Sequence, residues 1–384
     1  MPTTQGNRRR FGSAGWLLGV SVAASVAFAA PQSRPELSIV APIRPPGWVL
    51  IRDRVLVGIT PNRRATEPNR PDILIERFNE TLSLGVSFLV GNGAWTELEP
   101  RPGVYSLDDL NFFVASAAGA KLSASFTLHV IDTIYKNVPA DLRDLPWNHP
   151  FMKARTVRLI EAMAPALRGH VQWFMFGYEI DGYFARHPDE VAAFGELYGV
   201  AAARMKELVP GIKVSTTVTF STGVPDLTGP LAALNNQIDV LALTYIPVEH
   251  NFTMKDPSVV PSDFDSMRRA AAGRKIVLQE VAYPTAPSAN ASEEKQARFY
   301  QLAFDEFAAA GNTIAAANFM MLADLSDQDA EWWVSFYGMT GVPAFRGVLQ
   351  TLGMYDTRGQ PKDSLEVFRK NIRIGALRPA VLAR

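Results

Sequence analysis

Two glutamates stand where apolar runs give out. Glu179 closes VQWFMFGYE (171–179), and Glu280 lies near the end of KIVLQEVAYP (275–284). Two carboxyl groups held about 5 Å apart can divide one job between them. One attacks as a nucleophile and forms a covalent glycosyl intermediate; the other protonates the leaving oxygen and later deprotonates water. Their shared environment would raise the acid's pKa and leave the nucleophile ionised. Taken singly, either glutamate could equally cap a helix or pair with an arginine from a strand end.

The elements that would have to position this pair recur with a regular beat. Apolar, β-branched runs bounded by turn residues occur at 55–60, 85–92, 121–130, 171–179, 212–220, 238–247, 275–284 and 313–322. Near-continuous apolar strands of this kind suit a parallel sheet covered on both faces. Helical patterns fill the gaps, at 72–84, 107–118, 151–167, 189–209, 225–234, 264–272, 293–310 and 343–352. Ser106 opens the second with a capping-box pattern. Pro210-Gly211 stops the fourth, and Ser292 is an N-cap candidate for the seventh. Eight β-α units predict a single (β/α)8 TIM barrel over residues 50–375. A doubly wound open sheet is the alternative, but GITPNRR, not a G-x-G-x-x-G turn, follows the first strand. In a barrel the catalytic groups sit at the C-terminal strand ends. The fourth and seventh strands then deliver Glu179 and Glu280 to the rim of one crevice.

Several stretches resemble the clan of retaining (β/α)8 glycoside hydrolases called clan A, which includes cellulases, xylanases, β-galactosidases and endo-galactanases. W-T-E-L-E-P-R-P-G-V-Y (95–105) is similar to the clan's W-x-x-x-E-P-x-x-G-x-Y. GYEID (177–181) resembles its G-N-E-x-D, QEVAYP (279–284) its nucleophile strand, and DTRGQPK (356–362) its closing D-x-x-G-x-P-K before the last helix. The resemblance covers most of the chain after its N-terminal segment. It implies Glu179 as acid/base, Glu280 as nucleophile, and Tyr245, at the end of the sixth strand, as the phenol bonded to the nucleophile; a barrel-rim aromatic is the equal alternative for Tyr245. It also implies Asn before the acid/base as the ligand of the sugar 2-hydroxyl; this chain has Tyr178. The clan often places Trp at the eighth strand, where this chain has AANFMML.

Other candidates follow from chemistry alone. His129, ending FTLHV, can bind a sugar hydroxyl or be a satisfied rim histidine. Trp95, Trp332 and Trp333 lie in expected strand-end loops, where exposed indoles suit the C–H faces of sugars. Trp173 reads as core. Asp181 orients a loop or cap, and Asp324 and Asp327 follow the eighth strand, where they are ordinary loop acids or contacts to substrate.

The 384 residues carry no net charge, which gives no electrostatic case for nucleic acid or an anionic membrane as partner. Without cysteine there is no thiolate chemistry, and the five histidines form no H-x-H or H-x-x-x-H pair, so no metal or other cofactor is expected. Arg8, Arg9 and Arg10 precede an uncharged apolar run (11–30) with Ala27-Phe28-Ala29 near its end, the layout of a secretory signal peptide. Residues 1–29 thus read as a signal, 30–49 as a Pro-rich leader and 376–384 as a C-terminal tail. The alternative is an uncleaved anchor. The expectation is an exported monomer acting on an oligo- or polysaccharide, free of the membrane once cleaved, by a retaining two-glutamate mechanism. A carbohydrate-binding barrel without catalysis is the second reading, and a barrel hydrolase or lyase acting on a non-sugar substrate the third.

Overall fold

The computed structural model describes residues 55–376. The expected signal peptide, the leader and nearly all of the expected tail lie outside them. Eight strands follow in chain order: β1 Leu56–Ile59, β2 Phe88–Ala94, β3 Ser123–Asp132, β4 Val171–Tyr178, β5 in two pieces, Lys213–Ser215 and Thr217–Thr219, β6 Leu241–Tyr245, β7 Ile276–Val281 and β8 Ile314–Phe319. All neighbouring pairs are parallel. One ladder runs β2-β3-β4-β5 and the other β5-β6-β7-β8-β1. The chain itself joins them through Thr216. Between β1 and β2 the ring closes on Ser87, whose N–H donates to Val57 O (2.8 Å) and whose Oγ accepts from Val57 N (3.1 Å). This is the (β/α)8 barrel expected from the strand–helix alternation.

The helices are α1 Pro71–Leu84, α2 Asp108–Gly119, α3 Pro150–Leu167, α4 Val191–Leu208, α5 Val260–Ala271, α6 Glu293–Ala309, α7 Asp327–Phe336, α8 Pro343–Gln350 and α9 Asp363–Ala376. Ser292 caps α6 by accepting from Lys295 N at 3.2 Å. Ser106 does not cap α2, which begins after Leu107 without a side-chain cap. The helix expected at 225–234 is two four-residue turns, Gly223–Asp226 and Ala232–Asn235. Gly229-Pro230 lies between them, and proline disfavours helix both at its own position and at the residue before it. The strand-end loop expected around Trp332 and Trp333 instead contains α7, capped by Ser326.

Phe88, Trp173, Met175, Val240, Ala242, Val277 and Ala316 plug the barrel interior, with Phe88 edge-on to Trp173. The outer strand faces pack on the helices. Lys362 of the closing motif is buried, and its ammonium meets Asp324 at 2.7 Å just beyond β8. Phe368 of α9 packs on Phe319 of β8.

Candidate active site

Each glutamate reaches the barrel mouth by a local break in strand geometry. In β7 the register with β6 runs Leu243↔Leu278, then Thr244↔Glu280, skipping Gln279. Such a bulge lets successive side chains turn to one face. Gln279 Oε1 accepts from Ser125 Oγ across the barrel (3.2 Å), and Glu280 Oε1 accepts from Tyr178 Oη (2.5 Å). Glu280 is 7% exposed, and its Oε2 has no hydrogen-bond partner.

At the end of β4 the device is Gly177, with φ +98°. A Cβ there would strain that backbone and meet Ile180 Cγ2 at 2.7 Å. Glu179 itself is left-handed (φ 45°, ψ 48°) and opens the short helix Ile180–Phe184. A non-glycine residue held in this region costs about 1–2 kcal/mol, and such strain concentrates at functional sites. Glu179 is fully buried. Thr244 Oγ1 donates to its Oε1 (2.5 Å) and Thr133 Oγ1 to its Oε2 (3.3 Å).

Electrostatics separates the two carboxyls. Burial above all, then the charge of Glu280, pushes Glu179 well above the usual carboxylate range, against the Thr244 bond. Burial also lifts Glu280, to about 8; the Tyr178 bond opposes this and the charge of Asp132 adds to it. Asp132, at the end of β3, is the carboxylate that the sequence reading passed over. Its only signal was an acid two positions beyond the expected strand end. Asp132 Oδ2 lies 3.3 Å from His129 Nδ1. His129 stacks on Tyr178, with ring centroids 4.9 Å apart and planes at 17°. His129 Nε2 is buried without a partner. Asp181 accepts from Thr219 N (2.9 Å), Thr219 Oγ1 (2.6 Å) and Thr222 Oγ1 (2.5 Å), which ties the end of β4 to the end of β5.

Several expected site residues lie elsewhere or differ in character. Tyr245 points outward from β6, because strand alternation gives the inward place to Thr244. Its hydroxyl donates to Asp263 of α5 at 2.9 Å, among Phe220, Phe264 and Phe299. Tyr178 makes the bond to Glu280 instead. Trp95 is not an exposed loop indole: it is fully buried, and its Nε1 donates to Glu99 (2.8 Å), which also receives Arg155. Trp332 is 58% exposed on α7 and stacks on Phe336, while Trp333 beside it is half-buried. Tyr135, three residues past Asp132, donates to Phe336 O (3.0 Å) and joins this aromatic group to the loop after β3. Asp324 is committed to Lys362, and Asp327 to Arg346 at the surface. Among the described residues no group of His, Asp and Glu side chains could hold a metal ion.

No protein-family model matches the chain, and no curated protein matches its sequence. Solved structures do match. GH5_18 from Streptomyces cattleya in complex with GlcNAc is 15% identical, with TM-score 0.65 over 85% of this chain and 82% of that one. The exo-beta-1,4-mannosidase from Opitutaceae bacterium strain TAV5 is 17% identical, with TM-score 0.65 over 86% of this chain and 61% of that one. Xylanase 10B from Thermotoga maritima is 12% identical, with TM-score 0.58 over 84% and 96%. At such identities the likeness is one of fold. The chain is a (β/α)8 barrel of the architecture that these glycoside hydrolases share.

Proposed function

We propose that this chain is an exported retaining β-glycoside hydrolase, with Glu179 as acid/base and Glu280 as nucleophile. The observation that carries the reading is the pair itself. Two buried carboxyls come from the ends of β4 and β7, and one oxygen, Glu280 Oε2, is left unbonded. The group held more firmly in its protonated form is the acid, and the other is the nucleophile. Glu280 attacks the anomeric carbon as the bond from that carbon to the leaving oxygen breaks. Glu179 gives its proton to that oxygen. It then takes a proton from water, which attacks the same carbon and frees Glu280.

Export rests on residues 8–29 and on their signal-like order. Neighbours named for mannoside and xylan chemistry direct the choice of substrates. Trp332 and the half-buried Trp333 offer indole faces for a sugar beyond the central subsite. The test is release of reducing sugar from β-mannans, β-xylans, β-glucans and β-galactans by the mature protein and by Glu280→Gln. Release by the wild type alone supports the reading; equal release by both defeats the nucleophile assignment.

One observation favours a second reading, a glycan-binding barrel without turnover. Both oxygens of Glu179 already accept threonine hydroxyls, and the residue is sealed from solvent. Calorimetric binding of oligosaccharides by folded protein that releases no product from any of them would establish it.

A further inference from the structure

Glu280 has two oxygens in different situations, and the difference leads back through three residues. Oε1 is held by the Tyr178 phenol, while Oε2 has no partner. The Tyr178 ring cannot swing freely, because His129 lies flat against it and is itself buried. His129 is in turn held at Nδ1 by Asp132. A proton on Nδ1 shared with that carboxylate fixes the tautomer and the ring plane, and leaves Nε2 as a bare acceptor.

We propose that Tyr178 is the positioning residue of Glu280, that Asp132 acts through His129 to fix Tyr178, and that Oε2 is the oxygen that bonds to the anomeric carbon. The inference rests on the glycosidase reading and deepens it. In the first step the bond from Oε2 to the anomeric carbon forms and the glycosidic C–O bond breaks. The phenol proton stays on Tyr178 throughout, and the proton for the leaving group comes from Glu179. The phenol stabilises whichever charge remains on Oε1, so its work is done before and during bond formation. The substitution of Tyr for Asn at this position is then a transfer of role. The phenol that Tyr245 turns toward α5 is replaced at the nucleophile by one that reaches it from β4.

The experiment begins with a 2-deoxy-2-fluoro glycoside matched to whatever glycan the wild type hydrolyses, which traps the nucleophile and identifies the labelled residue by peptide mass. Steady-state kinetics of Tyr178→Phe, Asp132→Asn and the double variant follow. Tyr178→Phe keeps the stacked ring and loses only the hydroxyl. Its kcat is expected to fall by roughly 10²–10³, the loss typical of one preorganised donor, with KM changed by less than about threefold. Asp132→Asn is expected to lose about tenfold, and the double variant no more than Tyr178→Phe alone, because residues acting through one another are not additive. Wild-type kcat in Tyr178→Phe overturns the proposal. Multiplying losses in the double variant overturn the part assigned to Asp132.

Failure of the glycosidase reading is read separately, as absence of both label and turnover in the wild type. The Tyr178 bond is then tested without turnover, by titrating the Glu280 carboxyl with isotope-edited infrared spectroscopy in the wild type and in Tyr178→Phe. The charged and titratable groups that act on Glu280 are Tyr178 at the end of β4, Glu179 just after it and Asp132 at the end of β3. With Glu179 and Asp132 unchanged, loss of the phenol moves the titration upward. An unmoved titration overturns the proposal.

Discussion

The ends of β4 and β7 offer the same residue type in matching places and treat it in opposite ways. At β4 the backbone is left-handed at two of three residues, Gly177 and Glu179, and the carboxyl is sealed with a threonine hydroxyl on each oxygen. At β7 a bulge delivers Glu280 with one oxygen held and the other buried without a partner. Both are pushed upward by burial, so desolvation alone does not assign roles. The neighbours differ: Glu179 feels Glu280, Asp181 and Asp132 against the Thr244 bond, whereas Glu280 feels Asp132 against the Tyr178 phenol. In the proposed reading, two like carboxyls become an acid and a nucleophile through the company each keeps.

Three experiments would break or sharpen this contrast. The largest effect is expected from Glu280→Ala, with hydrolysis lost by a factor on the order of 10⁴ or more. Added azide should restore product of inverted configuration, because the cavity left opposite the leaving group admits a small nucleophile. Glu179→Ala should yield azide product of retained configuration, and the same stereochemistry from both variants would erase the distinction between the two strand ends.

Of intermediate size is a comparison with a carboxylate that does have a cation. Asp324→Ala strands Lys362, which is 4% exposed, and should cost about 3–5 kcal/mol in urea unfolding. Glu179→Gln should cost nothing or stabilise, since it removes a buried, uncompensated acid. A large loss there would mean that Glu179 serves the fold.

The smallest effect concerns pH. Burial pushes the Glu280 carboxyl up from its ordinary 4.5 to about 8. The folded state therefore binds the extra proton, and stability falls as pH rises between these values. Activity runs the other way: kcat/KM should rise with pH through about 8, as the nucleophile ionises, and fall again when Glu179 loses its proton. Thermal melts and pH–rate profiles over the same range check both slopes. Thr244→Val, which removes a bond that lowers the Glu179 pKa, should move the alkaline limb upward and cost about tenfold in kcat.

Much of this was open to reading in the sequence because parallel barrel strands are apolar on both faces and end abruptly. All eight strands, and the arrival of Glu179 and Glu280 at one rim, follow from that pattern. Side-chain direction at the strand ends did not. Alternation sends Tyr245 outward, while Gly177 and the bulge at Gln279 suspend alternation where the chemistry lies. Trp95 read as exposed because nothing local announces that Glu99 and Arg155, far apart in the chain, meet beneath it. Asp132 was missed because β3 runs two residues past its apolar signal. Helix α7 was hidden by its exposed tryptophan, which breaks the usual apolar stripe.

The seam between β1 and β2 has a consequence in time. β1 gets its ladder from β8, with Leu56 opposite Ala316, so the first strand of the barrel waits for nearly the whole chain to emerge. Among the described residues its early hydrogen-bond partner is Ser87, through two hydrogen bonds. Pairings so distant along the chain are slow to form, because loop closure must precede any gain from contact. The ring is therefore expected to be joined last at β1, after the seven-strand arc that carries Glu179 and Glu280 has formed.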